Sequence, residues 1–171
     1  MIEYKVSDGY VEQHEGLYRQ LSFLTNEITN TYPGHYEWLI TTFQNGLMVG
    51  ERGAVLAYDN TRPQHIKDVP ISAQNTFWLS GCSLVKNTKE EKKICCLFVD
   101  PSYRHQGIAS NLIQQSFGLL KTDKPLMTVA ENNLPQLLPL IKRFGFELTS
   151  VKDSVYKPGV KEYYYNEGLA R

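Results

Sequence analysis

Arg104, His105, Gln106, Gly107, Ile108, Ala109 and Ser110 follow one another in a short polar-to-apolar junction. Ahead of them an apolar run, 94–99, stops at Asp100-Pro101. Behind them Ile108, Leu112, Ile113, Phe117 and Leu120 recur at helical spacing. The order is strand, loop, helix. A helix that opens this way presents unpaired backbone N–H groups and the positive end of its dipole, and together these hold anions. Gly107 lets an anion reach the backbone with no Cβ in the way. Ala109 keeps the next contact small, Arg104 adds a fixed positive charge and His105 a donor. Phosphate or pyrophosphate is the guest this chemistry suits. No GxxxxGK[ST] stretch occurs, and Gly107 stands alone in its loop, so there is no GxGxxG either.

Other reactive side chains are scattered. Glu131 follows an apolar run, 125–130, where a carboxylate can serve as a base. Tyr163 and Tyr165 fall on one face of a closing strand and Tyr164 on the other. Cys95 and Cys96 are adjacent in a strand, with side chains expected on opposite faces and no partner base in sequence. The three cysteines, Cys82 included, have no CxxC spacing. Neither a disulfide framework nor a zinc site is expected from them. His14, His35 and His65 show no ligand spacing, and no metal is expected.

The elements that position these residues are read from periodicity. Ile2, Tyr4 and Val6 alternate as a strand. Leu17, Leu21, Leu24 and Ile28 predict a helix over about 10–30. Tyr36, Leu39, Ile40 and Phe43 predict a second, stopped by Asn45-Gly46. Residues 54–58 read as a strand, 59–63 as a turn and 61–75 as a surface insertion. Strands over 77–86 and 94–99 flank a charged hairpin loop. The second of these is continuously apolar and belongs in the middle of the sheet. The helix over 108–120 then leads to a strand, 125–130, parallel to 94–99, which closes a βαβ unit. Asn132 or Asn133 caps a further helix with Pro135 near its start. Pro139 predicts that this helix is kinked or short. Strands over 146–156 and 161–166 close the chain. The class is α+β, a mixed sheet whose first half is antiparallel and whose second half is a βαβ unit.

The chain has 171 residues, which fits one domain over 1–171. Lys+Arg and Asp+Glu are both 18, so nothing in the charge balance calls for a nucleic acid or an anionic membrane. No stretch is long and apolar enough to span a bilayer, the N-terminus lacks signal-peptide features, and free thiols suit a reducing cytoplasm.

Val99-Asp100-Pro101-x-Tyr103-Arg104-x-Gln106-Gly107-Ile108-Ala109 resembles the acetyl-CoA-binding signature of the GCN5-related N-acetyltransferase (GNAT) superfamily. The strand to Ala130, the Asn132/Asn133 pair and the ending Phe144-Gly145-Phe146 resemble that family's Asn…Gly-Phe pattern. The motifs cover roughly 94–147, and the earlier residues match only in element order.

The resemblance implies a GNAT fold and acetyl-CoA as co-substrate. The strand 94–99 and its parallel neighbour would splay, with pantetheine in the gap. Backbone groups of Phe98 and Val99 would meet the pantetheine amides, and the N–H groups from Arg104 to Ser110, with Asn133 nearby, the rest of the cofactor. A backbone N–H near Val99 would hold the oxyanion while a primary amine attacks directly. Glu131 is the candidate base. Tyr36 and Trp38 would wall an acceptor pocket. Many relatives carry an acidic tyrosine four residues before the Gly-Phe glycine; that position is Ile141 here. An acyl-CoA-binding sensor of little turnover, or an interaction module built on 61–75, is the alternative. The protein is expected as a monomer or homodimer.

Overall fold

The computed structural model describes residues 1–7, 14–63 and 77–169. In chain order these form β1 (Ile2–Ser7), α1 (His14–Leu24), a 3₁₀ turn (Asn26–Asn30), α2 (His35–Trp38), α3 (Gln44–Met48), β2 (Arg52–Pro63), β3 (Phe77–Asn87), β4 (Lys92–Val99), α4 (Ile108–Leu120), β5 (Leu126–Ala130), α5 (Leu134–Arg143), β6 (Leu148–Asp153) and β7 (Lys161–Tyr165). One sheet runs β1-β2-β3-β4-β5-β7-β6. Among the described residues only β4 and β5 are parallel; every other neighbouring pair is antiparallel. This is the mixed α+β architecture, with β4 in its centre.

Helices cover both faces. Leu21, Leu39, Phe43 and Leu47 pack from α1–α3 onto Ala54, Leu56, Cys82, Leu84 and Cys96. On the other face α4 brings Ile108 and Leu112 onto Val55, Ala57 and Val99. Ile113, Leu120 and Ile141 of α5 continue that layer over Val85, Ile94, Met127 and Val129. Each such side chain, when fully buried, stabilises the fold by about 1.5–3 kcal/mol relative to exposure. Ser116 is buried in α4. Its hydroxyl donates to the Leu112 carbonyl and lies 2.8 Å from the Ser83 hydroxyl of β3, fixing α4 on the sheet.

Several elements differ from expectation. The first helix ends at Leu24 and gives way to the 3₁₀ turn, with the Thr25 hydroxyl adding a second bond to the Leu21 carbonyl at the junction. Asn45-Gly46 does not stop the second helix. A π turn, Leu39–Phe43, carries helical backbone on into α3, and Gly46 is buried where a Cβ would lie 2.3 Å from Arg52 Cγ. Gly50, at φ +75°, makes the turn instead. Pro139 sits inside an unbroken α5. The hydrogen bond it forgoes would end on the Pro135 carbonyl, and both prolines are exposed, so water can satisfy that group. Asp59 does make turn-like bonds to the N–H and hydroxyl of Thr61, yet β2 continues to Pro63 through a shift in register. β6 is shorter than 146–156: Phe146 is buried under α4 and α5, and Ser154 turns the chain at φ 56°.

Cys95 and Cys96 also depart from simple alternation. A bulge between Leu84 and Val85 leaves Cys95 without a register partner. Cys96 joins the cluster under α1–α3. Cys95 takes an N–H from Arg52, whose guanidinium stacks over Trp38 on that same side. Residues 64–76, most of the expected insertion, and 8–13 lie outside the described residues. Among the described residues no helix is long and apolar enough to cross a membrane.

Candidate active site

The sheet opens at its centre. β4 and β5 pair at Lys93–Leu126 and Ile94–Met127, and no further pair follows. Both strands run on, to Val99 and Ala130, with a cleft between them. The cavity has a volume of 1110 Å³ and reaches through the sheet from the start of α4 to the face carrying α1–α3.

The backbone facing this cleft follows from the β3–β4 ladder. Asp100 N–H bonds the Ser80 carbonyl at 2.9 Å. Bonded pairs alternate in an antiparallel ladder. Counting back along the register, Phe98 and Cys96 face β3, while Leu97 and Val99 turn their N–H groups toward the opening. The Phe98 side chain packs against the α1–α3 cluster.

The loop after β4 is built for exposed donors. Asp100 accepts from Ser102 N–H at 2.8 Å, capping a 3₁₀ turn over Pro101–Tyr103. Tyr103 is buried and donates to Asp59 Oδ2 at 2.9 Å, anchoring the loop to β2. His105 (φ 63°) and Gly107 (φ 80°) both adopt left-handed backbone, and Gly107 is the N-cap of α4. The first intrahelical bond of α4 runs from Asn111 N–H to the Gly107 carbonyl. The N–H groups of Ile108, Ala109 and Ser110 therefore have no acceptor within the helix. A Cβ on Gly107 would meet nothing within 4 Å, so this side of the loop is open.

The structure brings Phe98, Val99, Arg104, His105, Gly107, Ile108, Ala109, Ser110 and Asn133 to the cleft. Gln106 is exposed in the same loop, and Glu131 is exposed at the end of β5, outside the cleft wall. Arg104 does not turn into the loop. Its Nε donates to the Val99 carbonyl at 3.1 Å, its guanidinium lies over Phe98, and Nη2 is 3.8 Å from Glu27 Oε2. Ile141 is buried on the inner face of α5, while Gln136, Leu137, Pro139 and Leu140 of the same helix line the cleft.

On the α1–α3 side the wall is aromatic and polar. Tyr156, from the loop after β6, meets Tyr32 edge-on at 5.2 Å, and Lys157 donates to the Asn30 carbonyl at 2.9 Å. His35 is buried and stacks on Trp38 at 5.7 Å. Because the Thr25 hydroxyl spends its proton on Leu21, His35 Nε2 donates to it at 2.8 Å. Burial pushes the imidazole pKa down, which favours this neutral form. Tyr36 is exposed and outside the main cleft. Cys95 lines the cleft with its pKa raised, chiefly by burial, which makes it a poor nucleophile.

One buried carboxylate lies outside every motif of the sequence. Glu162 of β7 is 2% exposed and accepts from the Tyr32 hydroxyl at 3.0 Å. Its register partner is Ala130, the last residue of β5. Burial raises its pKa above the usual glutamate value, against the lowering effect of bonds from Tyr32 and Thr128. Only the alternation along 161–165, which sends Glu162 and Tyr164 to the same face, hinted at it. Among the described residues no cluster of metal-ligating side chains occurs.

A family model for an acetyltransferase (GNAT) domain matches residues 79–164. No curated protein sequence matches the chain. Among solved structures, Arabidopsis thaliana NAA60 in complex with acetyl-CoA superposes with a TM-score of 0.67 and 18% identity, over 96% of this chain and 97% of that one. The ribosomal-protein-S18-alanine N-acetyltransferase of Escherichia coli gives 0.63 at 12% identity, over 95% and 92%. A GNAT-family acetyltransferase of Bacillus cereus gives 0.59 at 14%, over 95% of each chain. At these identities the likeness is one of fold.

Proposed function

The chain belongs to the GNAT acetyltransferase family, and from that premise we propose that it is a single-domain enzyme moving the acetyl group of acetyl-CoA to a primary amine. The observation that carries this reading is the alignment of two features: the opening between β4 and β5, and the uncapped N-terminus of α4 at its mouth. A cofactor with a long amide-bearing arm and a pyrophosphate fits both at once. The N–H groups of Ile108–Ser110 hold the pyrophosphate, with Gly107 giving close approach. The pantetheine amides complete the ladder that β4 and β5 leave unmade, through Leu97 and Val99.

The acetyl group then lies between the strand ends. A free β4 N–H, that of Val99 first, binds the carbonyl oxygen and holds it more strongly as it becomes an oxyanion. One such donor supplies about 2.7–4 kcal/mol of barrier lowering. The amine enters from the side of Trp38, His35 and Tyr156 and attacks in a ternary complex, so no covalent enzyme intermediate is needed. Glu131, exposed outside the cleft wall, is a poor base in this arrangement.

A second reading, an acyl-CoA-binding sensor with little turnover, has one observation in its favour: the α5 residues lining the cleft, Gln136, Leu137, Pro139 and Leu140, include no group acidic enough to protonate a thiolate. Two measurements test the proposal. Acetyl-CoA at about a hundred times its Kd should raise Tm by roughly 5–10 °C. Free-thiol release should then depend on added amine, tested with a free-N-terminus tripeptide, Nα-acetyl-lysine and spermidine. Binding without amine-dependent release would favour the sensor; no binding would contradict both.

A further inference from the structure

Tyr32 precedes α2 and Glu162 lies near the chain's end, yet they meet at the floor of the cleft. The Tyr32 hydroxyl donates to Glu162 Oε1 at 3.0 Å and accepts from Ala130 N–H at 3.1 Å. A phenol has one proton and two lone pairs. These contacts use the proton and one pair. The second pair is left for an N–H from the cleft, which Tyr32 lines.

Position favours a role in the chemistry. Continuing the parallel register beyond Ile94–Met127 places Ala130 level with Leu97 and Phe98 across the opening. The hydroxyl fixed by Ala130 therefore faces the part of β4 whose free N–H groups receive the thioester. Among the described wall residues Tyr103 also donates to a carboxylate, but the Asp59 side chain is 14% exposed and anchors the loop to β2, whereas Glu162 is 2% exposed.

Resting on the acetyltransferase reading above, we propose that Tyr32 and Glu162 form a proton relay serving both halves of the transfer, Tyr32 as the catalytic group and Glu162 as its proton store. The incoming ammonium gives one proton to the Tyr32 oxygen while the Tyr32 proton passes to the Glu162 carboxylate. The freed amine lone pair forms the C–N bond, and the carbonyl π pair moves to oxygen. On collapse the C–S pair leaves as thiolate. Glu162 returns its proton to Tyr32 as Tyr32 protonates the sulfur, and the second nitrogen proton goes to water. The ammonium has lost two protons: one resides on the CoA thiol, the other in solvent. Glu162 ends as carboxylate. The relay supplies the acid that α5 lacks at Leu140 and Ile141.

The surroundings suit a carboxylate that binds a proton readily. Burial raises the Glu162 pKa. The groups facing it are Tyr32 ahead of α2, Thr128 on β5, Lys93 on β4, and Tyr164 on β7; Lys93 opposes the rise. Lys152, its register partner on β6, is held by Glu167.

The test compares wild type, Tyr32→Phe, Glu162→Gln and the double variant, using acetyl-CoA with the three amines named above. Glu162→Gln keeps size and an acceptor for the Tyr32 proton, so a purely structural bridge would survive it. The relay predicts a kcat loss of about 10²-fold or more in each single variant. The double variant should be no worse than either, because the pair acts as a unit. KM for acetyl-CoA should be unchanged, and the acidic limb of the pH–kcat profile should vanish in Glu162→Gln. Activity within about threefold of wild type in both singles, or a retained acidic limb, overturns it. Should wild type bind acetyl-CoA but acetylate none of the amines, the acetyltransferase reading fails and the relay falls with it; an active wild type with near-normal single variants overturns the relay alone.

Discussion

Ile94 of β4 and Met127 of β5 form the last bridge between the two parallel strands. Past this pair β4 continues to Val99 and β5 to Ala130, so two strand edges face each other in the sheet's centre without bonding. Buried backbone groups are almost always paired. Leaving a central ladder unmade therefore points to a guest with amides of its own. That relation ties the fold to the chemistry.

The junction of α4 and β3 gives a stability prediction. Ser116 donates to the Leu112 carbonyl, and the buried Ser83 hydroxyl has Ser116 as its partner. Ser116→Ala strands that hydroxyl and should cost about 1–3 kcal/mol. The Ser83→Ala, Ser116→Ala double variant should cost less than the sum of the singles, because no polar group is then left alone. Urea unfolding of the four proteins measures this; additive losses would contradict the pairing.

Asp59 predicts a pH dependence. Bonds from the Thr61 side chain and N–H lead in lowering its carboxyl from 3.8 to about 2, with the Tyr103 bond helping. Its folded pKa lies below its unfolded one, so this contribution is full above 3.8 and lost as pH falls from there toward 2. Asp59→Asn should therefore destabilise at pH 6 and lose that effect near pH 2. Thermal melts of both proteins across this range check it; a difference that grows on acidification would refute it.

Thiol labelling reads the bulge in β4. Cys95 and Cys96 both reach the cleft, but Cys95 is half-buried whereas Cys96, at 8% exposure, and Cys82 are buried. Iodoacetamide should modify Cys95 slowly, its thiolate being disfavoured by burial, and the other two only on unfolding. Bound acetyl-CoA should slow Cys95 further. Mass spectrometry locates the adducts; equal labelling of Cys95 and Cys96 would place the bulge elsewhere.

What the sequence revealed was local. The segment 94–120 was legible because each signal lies within a few residues: an apolar run, a glycine suited to φ 80°, and a helical period. Proline and glycine misled where surroundings overrode them. Gly46 reads as a stop but fills a space too tight for a Cβ beside Arg52, and Pro139 is tolerated because its unmatched carbonyl lies on an exposed turn. The bulge at Cys95 is a property of two strands in register, so no one-strand pattern carries it. The Tyr32–Glu162 bond joins residues 130 positions apart, and Glu162 reads as one more charge on a closing strand. Arg104 was legible by its position in the motif, yet its guanidinium is held by the Val99 carbonyl, a tertiary contact.

That placement of Arg104 leads to the last prediction. Backbone N–H groups, more than this side chain, should hold the pyrophosphate, so Arg104→Ala should weaken acetyl-CoA binding by less than about tenfold. Gly107→Glu sets a negative charge in the open space before α4, on a backbone at φ 80° that strains any side chain. Isothermal titration of acetyl-CoA into wild type and a folded Gly107→Glu variant tests the central claim most directly. Saturable binding to wild type and none to the variant is the predicted result; equal affinity for both would contradict it.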